Sequence, residues 1–165
     1  AGLSRPYFVG LELAAADGKP VSRNVYWLST QADRLDWPHS NWYLTPLAQY
    51  ADFTALQSLP GASSDVRASV RREGARDIAT VTLSLPAGSS GVALFQHLSI
   101  RQSTGDQPVL PVLWSDNDVT LWPGESLTLT ARYAGQGTAT PVVEVSGWNV
   151  PDRSVSVDAT QGTKH

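Results

Sequence analysis

The chain has 165 residues, enough to bury one proper core, and its 41% hydrophobic and 16% charged content is that of a folded protein rather than a disordered one. No apolar run approaches the roughly 18 residues of a membrane helix, and a net charge of -3, with 12 basic residues scattered among 15 acidic ones, leaves no basic stripe for nucleic acid. With Cys 0, disulfides, thiolate nucleophiles and thiolate metal sites are excluded, and no residue pattern calls for a cofactor.

The start, Ala1-Gly2-Leu3-Ser4-Arg5-Pro6, has neither a charged n-region nor an apolar run, and Met 0 leaves no initiator residue, so a processed or excised piece of a longer precursor is expected. From there, short β-branched and aromatic runs recur between Gly, Pro, Asn and Asp clusters. Strands are predicted at 7–13, 21–28, 65–72, 78–85, 92–101, 109–114, 126–133 and 142–148, a number that fits an all-β, antiparallel two-sheet sandwich. In Ala79-Thr80-Val81-Thr82-Leu83-Ser84-Leu85 the apolar residues take one face and the hydroxyls the other. Leu127-Thr128-Leu129-Thr130-Ala131 repeats the device. Val81, Leu83, Leu94, Leu98, Val112, Leu127, Leu129 and Val143 are therefore expected to point inward. One domain over 1–150 is expected, followed by an aperiodic, flexible tail over 151–165.

The stretch 29–60 is longer than an ordinary sandwich connection and carries Trp37, Trp42, Tyr43, Tyr50 and Phe53. It reads as a long aromatic-rich loop with a helical turn or two between Leu47 and Leu59. Tyr26 and Trp27 lie in a strand, which predicts one of them in the core. Trp114 and Trp148 end strands, where they are expected to cap the sandwich.

From Leu110 the chain reads Leu-Pro-Val-Leu-Trp-Ser-Asp-Asn-Asp-Val-Thr-Leu-Trp-Pro-Gly-Glu-Ser-Leu-Thr-Leu-Thr. This order of strand, Ser-Asp-Asn turn, short edge strand, Pro-Gly-Glu turn and alternating strand resembles the C-terminal immunoglobulin-like domain of glycoside hydrolase family 2. The blocks Asn24-Val-Tyr-Trp-Leu-Ser29, Leu35-Asp-Trp37, Ser40-Asn-Trp-Tyr43, Thr45-Pro46, Tyr50-Ala-Asp52 and Gly147-Trp148-Asn149 resemble its exo-β-D-glucosaminidase and β-mannosidase-like branch. The resemblance covers Val21 to Val150. It implies an immunoglobulin-like fold, a partner in the catalytic (β/α)₈ barrel of the same parent chain, and a bacterial, exported parent acting on chitosan oligosaccharides or mannosides. A barrel of roughly 250 residues does not fit in this chain, so no residue inherits a catalytic role.

The residues themselves agree. Glycoside hydrolysis needs two carboxylates across a sugar, one with a raised pKa. Asp33 and Asp36 are close in sequence but lie in a polar stretch, where they read as turn and cap residues. No Gly-x-Ser-x-Gly elbow appears, and His39, His97 and His165 are unrelated in spacing. Asp116, Asn117 and Asp118 lack the glycine and distal glutamate of a calcium loop; Asp116 and Asn117 read as a turn before Val119, and Pro123 and Gly124 as the next, with Glu125 solvated beside it. No metal is expected. Trp37, Trp42, Tyr43 and Tyr50, with Asp36 beside them, are the candidates for carbohydrate or interdomain contact, since sugar C–H faces stack on exposed rings while hydroxyls seek acids. An accessory domain against the barrel, with this loop bordering the cleft, is the leading expectation. A carbohydrate-binding module for chitosan or mannan is the alternative.

Overall fold

Alternation of apolar and hydroxyl side chains builds the centre of this protein. In the computed structural model, which describes residues 2–102, 107–135 and 141–159, the chain divides into two compact units, Ala1–Leu59 and Pro60–His165.

The second unit is the sandwich. Its strands are β5 (Asp65–Glu73), β6 (Arg76–Ser84), β7 (Ala93–Gln102), β8 (Val112–Trp114), β9 (Val119–Leu121), β10 (Ser126–Ala134), β11 (Pro141–Ser146), β12 (Arg153–Ser156) and β13 (Asp158–Ala159), numbered after four strands of the first unit. One sheet runs β13-β5-β6-β10-β8 and the other β12-β11-β7-β9; every pairing is antiparallel except β13 on β5. The hydroxyls of β6 and β10 meet on the outer face, Thr82 with Thr128 at 2.9 Å and Ser84 with Ser126 at 2.8 Å. Val81, Leu83 and Leu129 point the other way, into a core they share with Leu98, Leu121, Val143 and Val145 of the facing sheet. Of the eight residues expected inward, Val81, Leu83, Leu94, Leu98, Leu129 and Val143 are buried, and Val112 and Leu127 pack half-buried at the rim.

Strand β7 departs from ideal pairing. Ala93 pairs with Leu121 and Gln96 with Val119, a bulge that places Phe95 at φ 51, in the left-handed region. Two asparagines repair the ladders around it. The Asn149 Oδ1 accepts the Leu94 N–H at 2.9 Å while its Nδ2 donates to the carbonyls of Pro60 and Val92. Asn117 does the same four residues on, accepting from Leu98 N at 2.8 Å and donating to Leu98 O at 2.9 Å. The Thr120 hydroxyl takes the Phe95 N–H. Gly147 lets the chain pass close: a Cβ there would sit 3.0 Å from Val150 Cβ and 3.1 Å from Leu94 O.

The first unit holds β1 (Tyr7–Ala14) and β2 (Pro20–Leu28), which form their own two-stranded sheet, and β3 (Arg34–Leu35) with β4 (Leu47–Gln49), which form another. Strands 7–13 and 21–28, expected in the sandwich, do not join it: β1 and β2 pair in a sheet of their own and lack the alternating burial that a sheet packed on one face requires. For the same reason neither Tyr26 (46% exposed) nor Trp27 (39%) is a core residue. Trp114 packs half-buried against the sandwich core, whereas Trp148 is 57% exposed, so only one of the two caps it. The stretch 29–60 is not an irregular loop throughout: besides β3 and β4 it has 3₁₀ turns at Trp37–His39 and Thr54–Ser58. The expected tail also changes, since β12 pairs with β11 and β13 with β5; residues 160–165 lie outside the described residues.

Replacing Leu83, fully buried in β6, by alanine is expected to cost about 2–5 kcal/mol through cavity formation, measured by urea unfolding. A second outcome follows from Tyr133, buried on β10 opposite Asp77, whose hydroxyl pKa burial and the Asp77 charge push up from 10 to about 12. The neutral phenol is then the form the fold favours, so its contribution is complete below pH 10 and is lost as pH rises toward 12. Stability should fall across that window, by on the order of 2 kcal/mol, and Tyr133→Phe should remove that limb of the profile.

Candidate functional site

The aromatic candidates cluster where the first unit exposes a hairpin tip. Strands β3 and β4 pair Arg34 with Gln49 and Leu35 with Leu47, which brings together the ends of the segment 36–46. Inside it the backbone closes in steps: Asp36 N donates to Pro46 O at 2.9 Å, the Ser40 and Thr45 hydroxyls meet at 2.8 Å, and Asn41 N donates to Leu44 O at 2.9 Å. The Asn41 Oδ1 accepts both Tyr43 N and Leu44 N at 3.1 Å. Asparagine is suited to this because its short side chain reaches backbone amides two and three residues on.

Trp42 is 94% exposed and Tyr43 70% at this tip. Their centroids lie 5.0 Å apart with the ring planes at 67°, edge to face. Trp37, 67% exposed, opens the 3₁₀ turn just before. Asp36 sits at that turn and holds His39, Nδ1 to Oδ2 at 2.8 Å. Four of the five sequence candidates, Asp36, Trp37, Trp42 and Tyr43, thus share one short segment. Tyr50 belongs to the next turn, where it is 69% exposed and its carbonyl accepts from Gln31 Nε2.

The neighbouring acids are engaged. Asp33 accepts the Ala51 N–H at 2.7 Å. Asp52 accepts from the hydroxyl and amide of Thr54 and lies 3.8 Å from Arg5; the Thr54 hydrogen bonds, and then the Arg5 charge, hold its carboxyl below the usual value. Among the described residues no three of His, Asp and Glu converge as metal ligands.

The turn residues lie in the second unit. Asp116 Oδ1 accepts Asn117 N at 2.8 Å, Asp118 adopts φ 54, and its carboxylate holds His97 Nδ1 at 2.9 Å. Pro123 and Gly124 turn the chain from β9 into β10, with Gly124 at φ 86, a conformation that side chains disfavour. Glu125 is not solvated as expected: half-buried, it accepts the Trp122 N–H at 2.8 Å and closes the turn. Sequence reasoning missed a polar groove of about 520 Å³ lined by His97, Ser99, Arg101, Glu144, Asp152 and Arg153. Alternating polar residues in β7 and β11 signalled an outer face, but the ion pair of Arg101 with Glu144 across it needed the register to be known.

A family model described as the exo-beta-D-glucosaminidase Ig-fold domain matches residues 42–150. An exo-beta-D-glucosaminidase of Streptomyces avermitilis is 45% identical over 159 residues, 94% of this chain and 17% of its own length. One of Amycolatopsis orientalis is 43% identical over 97% of this chain and 16% of its own. The crystal structure of Amycolatopsis orientalis exo-chitosanase CsxA superposes with a TM-score of 0.88 at 40% identity, over 95% of this chain and 19% of that one. The chain therefore spans about a sixth of the length of these relatives.

Removing the Asn41 side chain is expected to loosen the tip alone. In Asn41→Ala the amides of Tyr43 and Leu44 should exchange with solvent several-fold faster, a local cost of about 1 kcal/mol, while unfolding of the sandwich is unchanged. Exchange at wild-type rates would show that the asparagine does not hold the rings.

Proposed function

The chain belongs to the exo-beta-D-glucosaminidase Ig-fold domain family, and on that footing we propose that it serves as a non-catalytic accessory domain of an exo-β-D-glucosaminidase-type glycoside hydrolase. In this reading it packs against the catalytic (β/α)₈ barrel of the same parent chain, with the 36–46 segment bordering the substrate cleft. The observation that carries it is the pinned tip at Asn41, which holds Trp42 almost wholly in water in a domain that makes up a small share of its relatives' length. A large ring ordered in that position has a partner-sized hydrophobic surface and little side-chain entropy left to lose on contact.

The second reading, a module that binds chitosan by itself, has the acids beside the rings in its favour, since glucosamine polymers are cationic. Ring geometry weighs against it. A sugar platform uses ring faces lying in one plane, whereas 67° between Trp42 and Tyr43 offers one face at a time. The acids are also committed, Asp36 to His39, Asp33 to Ala51 and Asp52 to Thr54 and Arg5.

The isolated chain is expected to hydrolyse no aryl β-D-glucosaminide above buffer, having no acid and nucleophile pair. In the intact parent, Trp42→Ala should cost stability or activity at the level of an interface anchor, about 2 kcal/mol or more. The isolated chain should show no saturable tryptophan-fluorescence response to millimolar chitosan oligosaccharide. Retention of the isolated chain on chitosan, abolished by the same substitution, would establish the module instead.

A further inference from the structure

Among the described residues, Gln96 Oε1, Gln96 Nε2 and Ser64 Oγ are buried side-chain atoms with no hydrogen-bond partner in the chain. Gln96 is 0% and Ser64 4% exposed, and both line one cavity of about 10 Å³. Buried polar side chains are nearly always paired, with protein or with ordered water, so two unpaired ones on a shared wall have a common cause. Val66, Val145 and Val150 complete the wall, and the exposed Pro151 and Arg153 lie at its outer side.

The two residues reach this cavity from different segments. Gln96 follows the β7 bulge at Phe95, and the alternation that resumes there turns it inward with Leu98 and Ile100. Ser64 ends the segment 60–64, which belongs to no strand and is tied to the sandwich piecemeal. Asn149 Nδ2 donates to Pro60 O at 2.7 Å, and Ala62 N donates to Asn149 O at 2.9 Å. Arg153 donates from Nη1 to Ser64 O and from Nη2 to Ser63 Oγ, each at 3.0 Å. The Ser64 hydroxyl is the group these ties leave over.

The chemistry of the wall selects the occupant. Apolar cavities stay dry, but this one carries a hydroxyl and an amide, and one water needs roughly 10–15 Å³ of space and two to four polar partners. A calcium-like cation takes six or more oxygens, usually with carboxylates among them. No carboxylate lines this cavity, and the Arg153 guanidinium beside it repels a cation.

We propose that this cavity is a binding site for a single buried water, which bridges Ser64 Oγ to the Gln96 side-chain amide and so joins the segment 60–64 to β7. With the amide in one orientation the water donates to Gln96 Oε1 and accepts the Ser64 hydroxyl proton; with the amide turned it accepts from Nε2 and donates to Ser64 Oγ. The water thus does between side chains what Asn117 and Asn149 do for the β7 backbone. The bridge lies within the unit Pro60–His165 and is independent of what the Trp42 tip contacts.

High-resolution crystal structures of the intact parent, as wild type and as the double variant Ser64→Ala with Gln96→Met, test it. The wild type should show one density peak in the cavity, about 2.5–3.2 Å from Ser64 Oγ and from one Gln96 amide atom, and the double variant none. A dry wild-type cavity would overturn the proposal, as would a Gln96 amide bonded to protein instead or a peak that persists in the double variant. A peak ringed by six or more oxygens at about 2.3–2.6 Å is a cation and would overturn it too. The opening constant of the sandwich, read from hydrogen exchange of the slowest β6 and β10 amides in the parent, gives a second reading. Losing either partner leaves the other unsatisfied, so the double variant should depart from the product of the two single effects by at least about five-fold. Single effects that multiply to within about two-fold would refute the bridge. The wild-type map decides the matter even where a variant does not fold.

Discussion

The sandwich depends on how one strand keeps its backbone paired through a kink. At Phe95 the chain of β7 passes through the left-handed region, which a side chain with a Cβ enters at a cost of roughly 1–3 kcal/mol. A kink at the centre of a four-stranded sheet would strand buried amides, and a buried amide without a partner costs as much again. The side chains of Asn149, Asn117 and Thr120 take over where the ladder is interrupted, each meeting a β7 backbone group from a neighbouring element. Asn149 also fastens the entrance of the unit, through Pro60 and Val92, so one amide side chain ties three segments together.

That arrangement explains where the fold accepts polar atoms in its interior. Resuming alternation after the bulge turns Gln96 inward with Leu98 and Ile100, and it is fully buried beside a cavity of about 10 Å³ that Ser64 also lines. Tyr133 is the other case: its hydroxyl lies near the ion pair of Arg72 with Asp77, Nε to Oδ1 at 2.5 Å, rather than among apolar side chains alone. In both places the sheets' register, more than local preference, has decided which side chain is buried.

The two units are ordered by different means. The second is held by apolar burial between two sheets. Beyond its β1–β2 hairpin, the first relies on short polar reaches, Asn41 to the amides after it, Asp33 to Ala51 and Gln49 Nε2 to Ala32 O, with two strands of two and three residues. Such contacts position a chain without covering it, which is why Trp37, Trp42, Tyr43 and Tyr50 stay in water. A surface of this kind has its rings placed before any partner arrives, and the ordering cost of a contact is correspondingly small.

The sequence by itself determined the fold class, most strand positions and the inward residues of β6 and β10, because period-two alternation is a local signal that burial on one face enforces. It also carried the family, through the Ser-Asp-Asn and Pro-Gly-Glu turns and the Trp-rich block. The short strands β3 and β4 and the strands after residue 152 escaped it, since segments that short show no period and owe their existence to the edge they pair with. Only the tertiary structure decided that Tyr26 and Trp27 are no core residues, that Glu125 closes a turn and that Asn117 and Asn149 complete the β7 ladders. The asparagine contacts depend on what lies across a sheet, set by register between residues 19 and 55 positions apart, which no local pattern contains, and the Glu125 contact depends on the turn geometry that folds its side chain back onto Trp122 N.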